Sequence, residues 1–252
     1  LTVYEETRQA WRHIWETTDF DRELATLSYR RAQQTINTYL PYLDHTAPTL
    51  EAGCGVGQVV YYLRERGYNV IGLDYAPEGL LPTHQRYPDL PFTVGDVHHI
   101  PFPDGSFGGY LSFGVVEHFE VGPKPALTEA WRVLRPGGAL VLTVPHPNFV
   151  EFLRDTVNRL VPSRLEKLGK RADYYERTYT HPELAALVAE VGFKVRRVVP
   201  ISHSYTFYGL HSLFRAPGYY QTSALGERAG DFGKLVLPWW SAFETLIIAN
   251  KA

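Results

Sequence analysis

The sequence predicts an α/β protein built on a doubly wound sheet of mostly parallel strands. Three observations carry that prediction. Apolar runs ending in an acid recur at residues 49–51, 68–74 and 92–96, closing on Glu51, Asp74 and Asp96. The first of them enters a glycine-rich turn, Glu51-Ala52-Gly53-Cys54-Gly55-Val56-Gly57-Gln58, and leaves it as the apolar helical run Val59-Val60-Tyr61-Tyr62-Leu63. Strand-like and helix-like stretches then alternate as far as residue 145, the pattern of a sheet covered by crossover helices.

The turn after the first strand narrows the choice of ligand. Glycine permits positive φ and lets a ligand approach the backbone closely, and the helix that follows begins with free N–H groups. A dinucleotide fingerprint, G-x-G-x-x-G, would need glycine at position 58, where this chain has Gln58. Glu51 stands just before the turn, and its carboxylate repels a pyrophosphate but attracts a cationic amino-acid moiety. S-adenosylmethionine carries a sulfonium and an ammonium and no phosphate, which fits a turn built of Glu51, Gly53, Cys54, Gly55 and Gly57; the alternative is a tight turn that binds nothing.

Composition sets the outer limits. With 252 residues, 44% of them hydrophobic, one large domain with insertions fits better than two full domains. A net charge of −2 argues against a broad nucleic-acid surface. The single cysteine, Cys54, excludes an intrachain disulfide and a cysteine-based metal cluster, and its place in the glycine loop marks it as a small packing residue. No apolar run approaches the roughly 18 residues of a membrane span, and none reads as a signal peptide. A cytoplasmic enzyme without stable membrane insertion is the expectation. The chain opens at Leu1 and contains no methionine, so its natural start is expected upstream.

Taken in order, residues 1–45 read as amphipathic helix, with Trp11, Ile14, Trp15, Leu24, Leu27, Ile36, Tyr39 and Leu40 at helical spacings. This N-terminal cap is expected to pack on the sheet and to cover a cofactor cleft with Tyr4, Trp15, Tyr29 or Arg30. The helix after the glycine loop stops at Gly67. The second strand ends at Asp74, followed by Tyr75, about 20 residues past the glycines, where an acid accepts hydrogen bonds from ribose hydroxyls or else caps the next helix. The third strand, 92–97, ends in Asp96 and Val97, suited to the exocyclic amine and ring of adenine. His98 and His99 are adjacent and lack a third partner, so no metal site is expected there. The fourth strand, 110–115, contains Ser112 and Phe113 and runs into Val116-Glu117-His118. A helix over 125–134, a turn at Arg135-Pro136-Gly137-Gly138 and a fifth strand over 139–144 follow.

These pieces together resemble the class I S-adenosylmethionine-dependent methyltransferases, in the small-molecule branch that includes ubiquinone-type enzymes. The resemblance is carried by Glu51-Ala-Gly-Cys-Gly-Val-Gly57, Gly72-Leu-Asp74, Gly95-Asp-Val97, Pro101-Phe-Pro-Asp-Gly-Ser-Phe107, Val116-Glu-His118 and Val133-Leu-Arg-Pro-Gly-Gly138, and covers about residues 46–145. It implies a Rossmann-like seven-stranded sheet in the order 3-2-1-4-5-7-6 with the last strand antiparallel. It also implies that Asp74 holds ribose, Asp96 and Val97 hold adenine, and the glycine loop holds the methionine portion, with Tyr75, Ser112, Phe113 and Arg30 as further cofactor neighbours. In the ubiquinone-type branch this region can assist a divalent cation, but Gly114 stands where a further acid would help, so no metal is expected.

The rest of the chain fits such a sheet. Thr180-His181-Pro182-Glu183 reads as a capping box opening a helix to Val191, residues 193–201 as strand six and 241–250 as strand seven. Two long insertions, 146–180 and 203–238, are expected to carry structure and to close over the substrate. In the first, Phe152, Leu153, Val157, Leu160, Val161, Leu165 and Leu168 alternate with Arg154, Arg159, Arg164, Lys167 and Lys170, which suits a lid, a homodimer contact or an element on a membrane surface. The second is rich in rings (Tyr205, Phe207, Tyr208, Phe214, Tyr219 and Tyr220, with His203 and His211), suited to an acceptor pocket or to packing beneath a loop.

The expected activity is in-line methyl transfer to a small apolar or aromatic acceptor. Positioning and exclusion of water do most of that work, with a general base needed only for an acceptor that keeps its proton. His146, directly after strand five, is the first candidate base and His118 the second, although family members of diverse chemistry share its Glu-His pair, which favours a structural role for it. The alternatives are a lipid or quinone methyltransferase at the membrane surface and a cofactor-binding protein without turnover.

Overall fold

Continuous burial along the central strands places a hydrophobic layer on each face of one sheet. The strands are β1 (Thr49–Ala52), β2 (Val70–Asp74), β3 (Phe92–Val94), β4 (Phe107–Phe113), β5 (Leu134–Pro145), β6 (Phe193–Ile201) and β7 (Glu244–Lys251) in a computed structural model that describes residues 2–160 and 175–252. They form a seven-stranded sheet in the order β3-β2-β1-β4-β5-β7-β6. β1 to β5 are mutually parallel, and β7 runs antiparallel between β5 and β6. This is the order and the antiparallel last strand that the resemblance implied.

The helices are α1 (Val3–Thr17), α2 (Phe20–Thr26), α3 (Arg30–Tyr39), α4 (Gln58–Arg64), α5 (Pro77–Arg86), α6 (Lys124–Val133), α7 (Phe149–Leu160), α8 (His181–Glu190), α9 (His203–Leu210), α10 (Ala224–Val236) and α11 (Pro238–Ser241). Leu140, Leu142 and Val144 of β5 and Ile247 and Ala249 of β7 pack with Leu127 and Ala130 of α6 and Leu184 and Val188 of α8. Val141, Leu246 and Ile248, one residue out of step, pack on the opposite face with Ile36 and Tyr39 of α3 and Val60 and Leu63 of α4. A side-chain period of two thus separates the faces, and burial on both faces explains why these strands read as near-continuous apolar runs. β1 pairs with β2 on one side and β4 on the other, so the chain changes direction there and opens a crevice at the carboxyl ends.

Several expected boundaries move. β5 begins at Leu134, so Arg135-Pro136-Gly137-Gly138 lies within the strand and is absorbed by a register shift against β4. β3 stops at Val94, and the backbone N–H of His98 turns back to donate to Asp96 Oδ1 at 2.9 Å. The capping box at Thr180 does not form, because Glu183 instead accepts from Arg177 at 2.6 Å. β7 begins at Glu244, and Ser241, expected to open the strand, instead ends α11. In the first insertion α7 is helical, whereas Val161, Arg164, Leu165, Lys167, Leu168 and Lys170 lie outside the described residues.

Candidate active site

A cavity of about 390 Å³ lies at the carboxyl ends of the parallel strands. Its floor is the glycine loop after β1. The backbone N–H groups of Gly53 and Cys54 both donate to the carbonyl of Leu73, at 2.7 and 3.1 Å, fixing the loop to the end of β2. Gly53 has φ of 79°, and a Cβ on it would meet Val115 at 2.5 Å. Gly55 has φ of 55°, and a Cβ there would meet the Trp15 ring at 2.8 Å. Both positions therefore need glycine for backbone conformation and for space. Cys54 is buried, with its Sγ against Gly72, as its small size suggested.

The acids at the strand ends are in unequal states. Glu51 is buried and lines the cavity, and its Oε2 has no partner among the described residues. Burial, reinforced by the nearby Asp74 charge, pushes its carboxyl well above the usual range. Asp74 accepts from the N–H of Gly55 at 2.8 Å and from that of Ala76 at 2.9 Å, joining the glycine loop to the approach of α5. Burial pushes it up to about 6 against the pull of those bonds. Asp96 accepts from Tyr4 Oη and lies 2.8 Å from His98 Nδ1. Burial works to raise its carboxyl, but the bonds from His98 and Tyr4 outweigh it and hold the group well below the usual range.

α1 forms the cover. Tyr4, Thr7, Arg8, Trp11 and Trp15 recur on one helical stripe and all line the cavity. The Arg8 guanidinium lies 5.0 Å from the centre of the Tyr75 ring, and Trp11 and Trp15 stack at 5.3 Å. The far wall follows β4. It contains Phe113, Gly114, Val115, Glu117, His118 and Phe119, met by Pro145 of β5 and by Phe243 and Glu244 at the start of β7. His118 Nδ1 donates to the carbonyl of Tyr175 at 2.8 Å, which makes Nε2 the proton-accepting nitrogen of the ring. Burial lowers its pKa, so the imidazole is neutral near pH 7.

Of the residues expected at a site, the structure gathers Glu51, Gly53, Cys54, Gly55, Asp74, Tyr75, Asp96, Val97, Phe113 and His118, with Tyr4 and Trp15 from the cover. Gly57 lies behind them as the N-cap of α4, and Ser112 is buried within β4. Arg30 is elsewhere, paired with Asp231 of α10 at 2.8 Å, and Tyr29 donates to the carbonyl of Tyr219. His146 does not line the cavity, although Pro145 before it does. Its backbone continues the pairing with β7, and its ring sits 3.0 Å from Thr245 Oγ1 and beside Trp239, so proximity in sequence to the strand end did not bring it over the cleft. The rings of the second insertion stack on one another, as Tyr205 does on Tyr208 at 5.0 Å, and none lines the cavity. Sequence reasoning missed Thr7, Arg8, Glu117, Phe243 and Glu244. Only Glu117 carried a usable signal, as a charged residue at a strand end.

A family model described as a methyltransferase domain matches residues 50–142. A probable S-adenosylmethionine-dependent methyltransferase of Mycolicibacterium smegmatis is 32% identical over 61% of this chain and 54% of its own length. A demethylmenaquinone methyltransferase of Renibacterium salmoninarum is 31% identical over 57% of this chain and 65% of its own. The chain thus spans between half and two thirds of the length of these curated relatives. Among solved structures, Burkholderia thailandensis 1,6-didemethyltoxoflavin-N1-methyltransferase, with bound 1,6-didemethyltoxoflavin and S-adenosylhomocysteine, superposes with a TM-score of 0.62 at 18% identity, covering 100% of this chain and 92% of that one. At that identity the likeness concerns the fold.

Proposed function

We propose that this chain is a class I S-adenosylmethionine-dependent methyltransferase, a reading supported by the methyltransferase-domain match and the similar relatives, and that it transfers a methyl group to a small acceptor with an apolar or aromatic body. The observation that carries the reading is the cavity itself. It brings the glycine loop, Asp74 and the Asp96–Val97 pair together under α1. The fit to the cofactor rests on this chain's own chemistry: Glu51, whose Oε2 is buried without a partner among the described residues, lines a cavity whose floor admits no Cβ at Gly53 or Gly55. Glu51 and the loop would hold the cationic methionine portion, Asp74 the ribose, and Asp96, Val97 and Tyr75 the adenine.

When bound, S-adenosylmethionine supplies an electrophilic methyl that forms a bond to the acceptor's lone pair while the carbon–sulfur electrons return to sulfur. The protein's part is to align the two reactants and exclude water, which the Trp11–Trp15 stack and Phe113 serve by walling the cavity with rings. Where the acceptor sheds a proton, His118 Nε2 receives it. The Tyr175 carbonyl fixes the tautomer, and burial keeps the ring unprotonated beforehand.

Calorimetry with S-adenosylhomocysteine tests this reading. The wild type is expected to bind, and Asp74→Ala to bind more weakly by about 1.5–3 kcal/mol for each charge-assisted hydrogen bond lost. Absence of binding by the folded wild type, or unchanged affinity in a folded Asp74→Ala, would sink it.

A further inference from the structure

The two ends of the cavity differ in charge. Arg8, its only lysine or arginine among the described lining residues, lies over the Tyr4 and Tyr75 rings at the end formed by Asp74 and Asp96. The other end, where β4 meets β5 and β7, carries Glu117, Glu176 and Glu244. Glu117 is 2% exposed, and its Oε2 has no partner among the described residues. Its backbone carbonyl is taken by the N–H of Arg177 at 3.0 Å, but the Arg177 guanidinium is drawn away to Glu183. Glu244 is better supported, accepting from Ser202 at 2.6 Å.

A buried carboxyl oxygen without a donor costs about 1–3 kcal/mol, and more when ionised. Nothing in the sheet requires an acid at position 117. Burial, with the charges of Glu176 and Glu244 added, drives the Glu117 carboxyl well above its usual range. A hydrogen-bond donor carrying positive charge would reverse that shift and satisfy the orphan oxygen in one contact. An anionic or purely hydrocarbon acceptor would leave the oxygen unpaired. The ring of Phe243, which precedes Glu244 and lines the same cavity, offers apolar surface to the body of such a ligand.

We propose that the acceptor is a basic amine: its ammonium is recognised by Glu117 with Glu244 and Glu176 around it, its apolar body lies against Phe243, and the nitrogen gives its proton to His118 Nε2, 4.0 Å from Glu117 Oε1, before its lone pair takes the methyl. This rests on the methyltransferase reading and specifies the substrate class for the same cavity. The cofactor's own cations would be held by Glu51 at the glycine loop, whereas Glu117 follows β4 and lines the cavity with Pro145 and Glu244.

The test is calorimetry on the full chain saturated with S-adenosylhomocysteine, titrated with 2-phenylethylamine and with its neutral counterpart, 2-phenylethanol. The amine is expected to bind at least tenfold more tightly than the alcohol. Glu117→Gln is expected to erase that preference while leaving affinity for S-adenosylhomocysteine and for the alcohol within about twofold. Glu244→Gln is expected to reduce the preference at least threefold, and it carries the test if Glu117→Gln fails to fold by circular dichroism. Equal affinities for amine and alcohol, no measurable binding of the amine, or a loss of S-adenosylhomocysteine affinity in Glu117→Gln matching the loss for the amine would each overturn the proposal. Failure of the first titration, with S-adenosylhomocysteine alone, would instead remove the methyltransferase reading beneath it.

Discussion

Gly55 sits beneath the Trp15 indole with left-handed φ, and its N–H is one of the two that hold Asp74. A methyl group here meets a ring packed in the cover and must also adopt a disfavoured backbone conformation, at about 1–3 kcal/mol. Gly55→Ala is therefore expected to lower thermal stability and to weaken S-adenosylhomocysteine binding about tenfold or more, read by melting and calorimetry. An unchanged affinity would place the ligand away from the loop. Tyr4 gives a prediction of opposite sign. Its hydroxyl donates to the Asp96 oxygen that the proposed adenine amine would use. Tyr4→Phe removes that competitor, so S-adenosylhomocysteine should bind more tightly, by up to about tenfold for a hydrogen bond to a charged group. The free protein should melt lower. Weaker binding in the variant would mean that Tyr4 holds the ligand and does not compete with it.

At the scale of elements, α1 lays one stripe over the cavity and is fixed at both ends. Thr2 and Glu5 form a capping box at its start, and Arg12 pairs with Glu78 of α5. If α1 closes over the cofactor, S-adenosylhomocysteine should slow amide exchange across residues 3–17. Equal exchange with and without it would make α1 fixed scaffold. The strands and glycine loop were legible because their signals are local: an apolar run, an acid at its end, glycines at the turn. Part of the cover was legible for the same reason, since Tyr4 and Trp15 fall on an amphipathic helix. Thr7 and Arg8 were not, because polar residues inside a buried stripe look like its solvent face. The acceptor wall was hidden by topology. Phe243 and Glu244 reach it only because the last strand inserts antiparallel between β5 and β6, far along the chain from the residues they meet. His146 shows the converse. It follows a strand whose end lines the cavity, yet pairing with Phe243 carries its ring into the packing around Trp239.

For the molecule as a whole, two families of buried titratable groups oppose each other in the same pH window. His146 is pulled down to about 4 by burial and by the neighbouring His181, and His118, His181 and His203 are lowered chiefly by burial. Between about pH 4 and 6.5 the unfolded chain binds the proton that folded His146 refuses, so this group's contribution is present above 6.5 and lost as pH falls. Asp74, pushed up to about 6, acts in the other direction, joined by Glu51, Glu117 and Glu244, which burial also raises. From about pH 3.8 to 6 folded Asp74 keeps a proton that the unfolded chain releases, so its contribution is present below 3.8 and lost as pH rises. The upper bounds are about 3.5 kcal/mol for His146 and about 3 kcal/mol for Asp74, from roughly 1.4 kcal/mol per unit of pKa difference. Their opposition is expected to flatten the stability profile between about pH 4 and 6, and single variants should unmask it. The melting temperature of the wild type relative to His146→Gln is expected to fall as pH drops from 7 to 4. Relative to Asp74→Asn it is expected to rise as pH drops from 6 to 4. A shift of about 2–4 °C per kcal/mol makes both readable by scanning calorimetry. If both differences run parallel to the pH axis, the two groups titrate alike in the folded and unfolded chains, and the burial that separates them from solvent is not felt by their protons.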